Sequence, residues 1–171
     1  MHSTIAVLAR TGVITSLFIA ASSVGATGQV KESTPEDLAK RAEVVAVGRV
    51  SGLVSQWNSD RSRIYTTVSL SVDQYLKGGS AAGPLNIRVP GGEVDGVGEA
   101  YSHMATFRRD ESILVFAERD RDGTYRVSGG QQGKFTIRKD DATGELIAGE
   151  RMTLKDMTAI VKRAVVDQTQ K

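Results

Sequence analysis

The sequence predicts a mainly β protein: a small antiparallel, OB-like barrel or meander of six to seven strands, with a short N-terminal helix and a C-terminal amphipathic helix. Three observations predict this class. Apolar and polar residues alternate strictly from Ile64 to Val72, as in a strand with one buried face. Turn sequences rich in Gly, Asp and Asn separate several short apolar runs. Apolar residues recur at helical spacing from Leu154 to Val165.

Residues 1–26 have the pattern of a secretory signal peptide. A positive charge at Arg10 precedes an uncharged run that closes with the small residues Val24-Gly25-Ala26. An uncleaved anchor is the alternative, but a membrane span needs ~20 mostly apolar residues, and this run is rich in Ser, Thr and Gly. We therefore expect an exported protein, periplasmic or extracellular, with no stable membrane insertion after cleavage.

The rest of the chain is expected to form one domain. Residues 27–32 are predicted to be a flexible leader, residues 33–168 a single β-rich domain, and residues 169–171 a tail. Thr34 can cap a short helix, and Pro35 suits its first position. These boundaries leave no room for a second domain of comparable size.

The first two strands are predicted to form a hairpin. Val44 to Val54 carries β-branched residues on both faces, which indicates a strand buried on both sides for part of its length. The sequence WNSDRS, which starts at Trp57, has the composition of a hairpin turn. The alternating strand from Ile64 follows it.

The later strands are shorter. LNIRV, SILVFAE, TYRVSG, GKFTIRK and ELIAG are the expected strand segments, at residues 85–89, 112–118, 124–129, 133–139 and 145–149. Thr153 with Asp156 resembles a capping box, so a helix is expected to start there. The predicted apolar face of this helix consists of Leu154, Met157, Ile160, Val161, Ala164 and Val165.

Composition excludes several classes of function. The 171-residue chain has 22 basic and 20 acidic side chains without a basic cluster, so we predict no nucleic-acid partner. It has no cysteine, which excludes disulfides, thiolate metal sites and cysteine nucleophiles. His103 is the single histidine left once His2 is removed with the signal peptide. Zinc hydrolases use two or three His with a carboxylate.

Residues 89–98, VPGGEVDGVG, form the one stretch that resembles a ligand loop. Glu93, Asp95 and Glu99, with His103 just beyond, are the local groups that could bind a divalent cation. Valines at 94 and 97 occupy alternate positions and instead favour a structural loop pinned onto the core. We predict no metal, no cofactor and no catalytic residue; a small metal-dependent hydrolase that uses Glu93, Asp95 and His103 remains the alternative.

Residues 129–136, GGQQGKFT, imitate a phosphate loop. Ser128 stands where the leading Gly belongs, and Phe135 where a Ser or Thr should bind magnesium. The residues that follow have strand character, so we expect these glycines to be turn residues entering a strand.

The order of these segments resembles a group of uncharacterised secreted bacterial proteins across residues 43–138. The matching stretches are VVAVGRV, IYTTVSLSVDQYLKG, VPGGEVDGVG and FRRDESILVF, at residues 44–50, 64–78, 89–98 and 107–116. This chain has Asp110-Glu111 where such proteins tend to carry Gly-Glu. More distantly, the succession is similar to the netrin-like, OB-type barrels of the tissue inhibitors of metalloproteinases. Their inhibition depends on an N-terminal cysteine, which this chain lacks, so the resemblance implies the barrel and not the mechanism.

The expected function is an exported, non-catalytic binding or interaction module for a protein or small-molecule ligand. Its predicted contact surface is a rim formed by residues 91–106 and the turn at residues 56–62. Trp57, Glu93, Asp95, Glu99 and His103 are the candidate rim residues, with Trp57 as a possible anchor. A protease inhibitor or accessory factor is the alternative that the netrin-like resemblance implies.

Overall fold

The computed structural model describes residues 32–79 and 83–170, and the predicted signal peptide lies outside them, as does all of the leader except Glu32. Within these residues the chain forms two α-helices, ten strands and one 3-10 helix. In chain order they are α1 (Pro35–Arg41), β1 (Val44–Trp57), β2 (Ile64–Lys77), β3 (Leu85–Pro90), β4 (Gly92–Val94), β5 (Val97–Glu99), β6 (Ser112–Arg119), β7 (Tyr125–Val127), the 3-10 helix (Gly130–Gly133), β8 (Lys134–Lys139), β9 (Leu146–Ala148), β10 (Met152–Thr153) and α2 (Leu154–Thr169).

Five of the strands close into a barrel, which confirms the predicted fold class. β1 pairs with β2, β2 with β3, β3 with β7, β7 with β6, and β6 returns to β1. The expectation of an antiparallel sheet holds for every one of these pairings except β3 with β7, which is parallel. β8, β9 and β10 continue the sheet beyond β6.

β1 and β6 are buried on both faces because two cores lie on either side of them. Their inward residues, such as Ala46 and Val115, fill the barrel. Their outward residues, such as Val45 and Phe116, pack against α1 and α2 in a second core that includes Leu38. This arrangement explains why apolar residues occupy both faces of the first half of β1.

Both helices begin at the predicted caps. Thr34 and Thr153 accept hydrogen bonds from the backbone N–H groups three residues later, at 3.2 and 3.0 Å. On α2, Met157, Val161 and Ala164 are fully buried, whereas the other residues of the predicted apolar face are partly exposed. No helix among residues 32–79 and 83–170 has the length and apolar character needed to cross a membrane.

The structure corrects three details of the expected strands. Trp57 is the last residue of β1 and pairs with Ile64, so it precedes the turn and does not belong to it. β4, β5 and β10 have two or three residues each and account for the strands beyond the six or seven expected. A short 3-10 helix at Gly130–Gly133, which Gly129 precedes, leads into β8.

Candidate functional site

The stretch VPGGEVDGVG is a small hairpin and not an irregular loop. Strands β4 and β5 pair with each other, and Asp95 and Gly96 form the two-residue turn between them, with φ of 53° and 78°. Asp-Gly is the sequence that favours such a turn, because both positions need a positive φ. The expectation that its valines pin the segment onto the core is wrong for Val97, which is 48% exposed. Glu93 is exposed at the middle of β4.

Two glycines let this hairpin lie directly against the β1–β2 pair. Gly92 has a φ of 132°, and a Cβ there would collide with the hydroxyls of Ser55 and Thr66. These two hydroxyls are hydrogen-bonded at 2.9 Å, and Thr66 Oγ1 donates to the Gly91 carbonyl at 2.7 Å. Gly91 N in turn donates to the Ile64 carbonyl at 2.8 Å. The sequence thus needs glycine here for a close backbone crossing.

Glu99 links the hairpin to the β1–β2 turn. Its Oε2 accepts hydrogen bonds from Ile64 N at 3.1 Å and from the Tyr101 hydroxyl at 2.9 Å. Arg63 at the end of the turn donates to the same hydroxyl at 2.8 Å, and this hydrogen bond raises the pKa of Arg63 above its ordinary value. The structure therefore brings part of the segment 91–106 into contact with the turn.

The other predicted site residues do not converge on Glu99. Asp95 is a turn residue, and Trp57 is half-buried at the end of β1. His103 is exposed, with a φ of 64°, and its carbonyl accepts from Gln131 N beside the 3-10 helix. In the part of the chain that the structure describes, no group of three or more His, Asp or Glu side chains is arranged to hold a metal ion.

An open cavity lies at the barrel end beneath the β4–β5 hairpin, and we call it the end cavity. Its volume is about 290 Å³. Leu53, Val89 and Phe107 are partly buried side chains that pack against the barrel core and also line this space. Its polar lining includes Ser55, Thr66, Glu99 and Tyr101. An apolar wall with a few oriented polar groups is the usual construction of a ligand site.

A second cavity of about 450 Å³ adjoins the first, and we call it the side cavity. The two share Val89, Pro90, Met104 and Ala105, so the Met104 side chain lies between them. Met104 is 40% exposed. Methionine is flexible and polarizable, and it suits a surface that must adapt to an apolar ligand.

A third cavity, of about 620 Å³, is lined by residues that include Tyr75 and Tyr125. It is bordered by Gly79 and Gly83, which flank residues outside the described ranges, so its full lining is not defined. The Arg119 side chain in this cavity is already paired with Glu43 at 3.1 Å. For these reasons the end cavity is the better candidate site.

Of the five predicted rim residues, Glu99 alone lines the end cavity; Trp57, Glu93, Asp95 and His103 do not. Leu53, Val89 and Phe107 were missed because a partly buried apolar side chain has the same sequence pattern as a core residue. A signal was present: Asp-Gly between two valines is a hairpin motif. It would have placed β4 and β5 over the barrel end.

No model of a known protein family matches this chain, and no curated protein is significantly similar to it.

Proposed function

We propose that this protein is an exported, non-catalytic binding module that holds its ligand in the end cavity. The observation that carries the proposal is the incomplete burial of Leu53, Val89 and Phe107, which border an open space on the surface of the barrel core. Burial of apolar surface stabilises a complex by about 25 cal/mol per Å². These side chains would gain that burial when a ligand enters.

The polar groups of the cavity support binding over catalysis. A hydroxyl nucleophile needs an adjacent base such as His, but Ser55 Oγ is hydrogen-bonded to Thr66 Oγ1. Glu99 already accepts from a backbone N–H and a tyrosine hydroxyl. These groups fix the walls of the cavity and leave a ligand-sized apolar space between them.

Titration with small apolar fragments tests this proposal. Phenylacetate, cyclohexanol and N-acetyl-leucine amide are added to the ¹⁵N-labelled protein, and amide shifts are followed by NMR. We expect at least one fragment to shift the amides of Val68, Val89 and Ala105. If none does so up to its solubility limit, the proposal is wrong.

A blocking variant provides the control. Thr106 is exposed and lines the cavity, so Thr106→Trp should fill the opening and abolish the shifts without unfolding the barrel. Ser71→Trp places the same side chain at an exposed position on β2 outside the cavity and should leave the shifts unchanged.

Export is supported by the pattern of residues 1–26. When the full-length gene product is expressed in a bacterium, we expect the mature protein to begin at Thr27. Mass spectrometry of the periplasmic and culture fractions measures this directly. A chain recovered only in the cytoplasm with residues 1–26 still attached would contradict export.

A further inference from the structure

The second half of β1 has an edge that pairs with no other strand in the described chain. β6 pairs with β1 only from Val44 to Arg49, whereas β2 pairs with it as far as Trp57. Asp110 N and Glu111 O then bond to Val50. Within residues 32–79 and 83–170, no strand pairs with β1 from Gly52 to Trp57 on the side opposite β2, and we call this side the free edge.

The direction of the backbone groups along the free edge follows from the ladder. Asn58 N donates to the Arg63 carbonyl across the turn. Because bonded and non-bonded positions alternate in an antiparallel pair, Gln56 and Val54 also bond to β2. Leu53, Ser55 and Trp57 therefore direct their N–H and C=O groups to the free edge.

The free edge and the end cavity share residues. Leu53 and Ser55 line the cavity with their side chains and present their backbone groups at the free edge. A strand added at this edge would place the residues opposite Leu53 and Ser55 on the same face, because opposed residues in a sheet share a face. Its alternate side chains would thus enter the cavity.

Basic side chains outnumber acidic ones where the free edge begins, because Arg49, Arg108 and Arg109 lie there with the exposed Asp110. Arg109 Nη1 donates to the Ser51 carbonyl, Arg49 Nη1 donates to the Asp110 carbonyl, and Arg108 is exposed beside them. Within residues 32–79 and 83–170 none of these guanidiniums forms a salt bridge, and the nearby Glu111 is paired with Lys134. An acidic residue in the ligand would complement this end of the edge.

We propose that the ligand is an extended peptide that adds a strand to the free edge, inserts an apolar side chain into the end cavity and places an acidic residue near Arg108 and Arg109. This inference rests on the proposed function and names its ligand class. Main-chain hydrogen bonds supply affinity in such complexes, and pockets for alternate side chains supply specificity. The segment GLVSQW at residues 52–57 has no charge and no proline that would prevent pairing at the edge.

A displayed library of random linear peptides, selected against the purified protein, provides the probe. We expect enrichment of sequences that combine a large apolar residue with an acidic one. The best binder is then resynthesised with a single N-methyl group at each position in turn. In the bound peptide, every second residue directs its N–H toward the free edge. N-methylation of one of these residues should weaken binding at least about tenfold, because it removes an edge hydrogen bond. N-methylation of the residues between them should have little effect on binding.

Variants at Ser55 test the edge on the protein side. Ser55→Pro removes the N–H that faces the free edge and should abolish binding, whereas Ser55→Ala keeps that N–H and should weaken binding far less than Ser55→Pro. If Ser55→Pro does not fold, hydrogen exchange measured on the unaltered protein tests the edge instead. In the unaltered protein the peptide should slow exchange at the Leu53, Ser55 and Trp57 amides.

Several results would overturn the inference. They are a selection without enrichment, enriched peptides that tolerate N-methylation at all positions, or protection of amides elsewhere. A purified protein that is already a dimer, with the three edge amides protected in the absence of peptide, would assign the edge to a second copy. If apolar fragments still shift the cavity amides in any of these cases, the proposed function stands and only the peptide inference fails.

Discussion

Asp110 has a left-handed backbone conformation, with a φ of 63°. Only glycine takes such a φ without steric cost. The Asp110 N–H donates to the Val50 carbonyl at 2.9 Å, which fixes the approach of the chain to β1. A single residue thus carries backbone strain where the end of the barrel joins β6.

Replacing Asp110 by glycine should be tolerated or mildly stabilising, within about 1 kcal/mol, because relief of the left-handed cost offsets the larger entropy of unfolded glycine. Asp110→Val should destabilise by about 2 kcal/mol, because a β-branched residue rarely adopts this φ. Urea unfolding measures both. Asp141→Val, at an exposed position without positive φ, is the control. A glycine variant less stable by more than about 1 kcal/mol would contradict the strain argument.

Gly92 is the second residue whose backbone matters, and it shapes the site directly. Gly92→Ala should destabilise the protein by about 2–4 kcal/mol, because its Cβ would displace Ser55 or Thr66 and its φ is unfavourable for alanine. Gly98→Ala is the matched control, since a Cβ there meets open space and its φ is not positive. Similar unfolding curves for the two variants would show that the backbone at Gly92 does not approach Ser55 and Thr66 closely.

Among the elements, α1 is held at its C-terminal end by side chains from distant segments. Lys77 Nζ donates to the Ala39 carbonyl at 2.7 Å and to Gln168 Oε1 at 2.8 Å, and Gln168 Nε2 donates to the Lys40 carbonyl at 2.9 Å. Burial lowers the pKa of Lys77 below its ordinary value. A cation at a helix C-terminus is stabilising because it faces the negative end of the helix dipole.

Lys77→Met should therefore cost about 1–2 kcal/mol of unfolding free energy. Gln168→Ala should cost less, because Gln168 is exposed at the end of α2. The double variant should lose less than the sum of the two, by about 0.5–1 kcal/mol, since both side chains share one network. Strictly additive losses in denaturant titrations would mean that the two contacts act independently.

The sequence predicts elements well where periodicity is long, as in β2 and α2, whose alternation and helical spacing extend over many residues. It fails for β4, β5 and β10, because two or three residues carry no measurable period. Glu99 illustrates the limit at the site. The sequence predicts a rim formed by residues 91–106 and the turn at residues 56–62, but the bonds of Glu99 to Ile64 N and Tyr101 depend on how the hairpin crosses β1 and β2. The closure of the barrel determines where the hairpin crosses β1 and β2, and no local sequence pattern predicts that closure.

At the scale of the whole molecule, Glu111 joins the barrel to the strands outside it. Its carboxylate accepts from Lys134 Nζ and Thr136 Oγ1, both at 2.6 Å, and from Arg108 N at 3.1 Å. The Glu111 and Lys134 side chains are only 13% and 11% exposed. Lys134 Nζ also lies 5.3 Å from the centre of the Phe107 ring, which lines the end cavity. Through these contacts, Lys134 at the start of β8 connects Glu111, which precedes β6, to Phe107 in the wall of the end cavity.

The pKa of Glu111 makes this junction sensitive to acid. Burial raises the pKa, but the hydrogen bonds from Lys134, Thr136 and Arg108 N outweigh it and hold the pKa below its ordinary value of 4.5. A carboxylate with a lowered folded-state pKa stabilises the protein above its unfolded-state pKa, and that stability is lost as pH falls through the folded-state pKa. We therefore expect the stability that Glu111 contributes to be lost as pH falls below about 4.5 and through the folded-state pKa of this carboxyl.

Glu111→Gln tests this coupling. At neutral pH the variant should lose about 1–3 kcal/mol, because it leaves Lys134 partly buried without a counter-charge. The difference between the two proteins should narrow as pH falls below about 4.5 and should vanish once pH is below the lowered folded-state pKa of Glu111, where its carboxyl is neutral. Urea unfolding measured across this pH range gives both quantities. Asp141→Asn, at an exposed turn position, should leave the pH profile unchanged. A constant difference between Glu111→Gln and the unaltered chain down to the lowest pH would show that Glu111 acts through shape and not through charge.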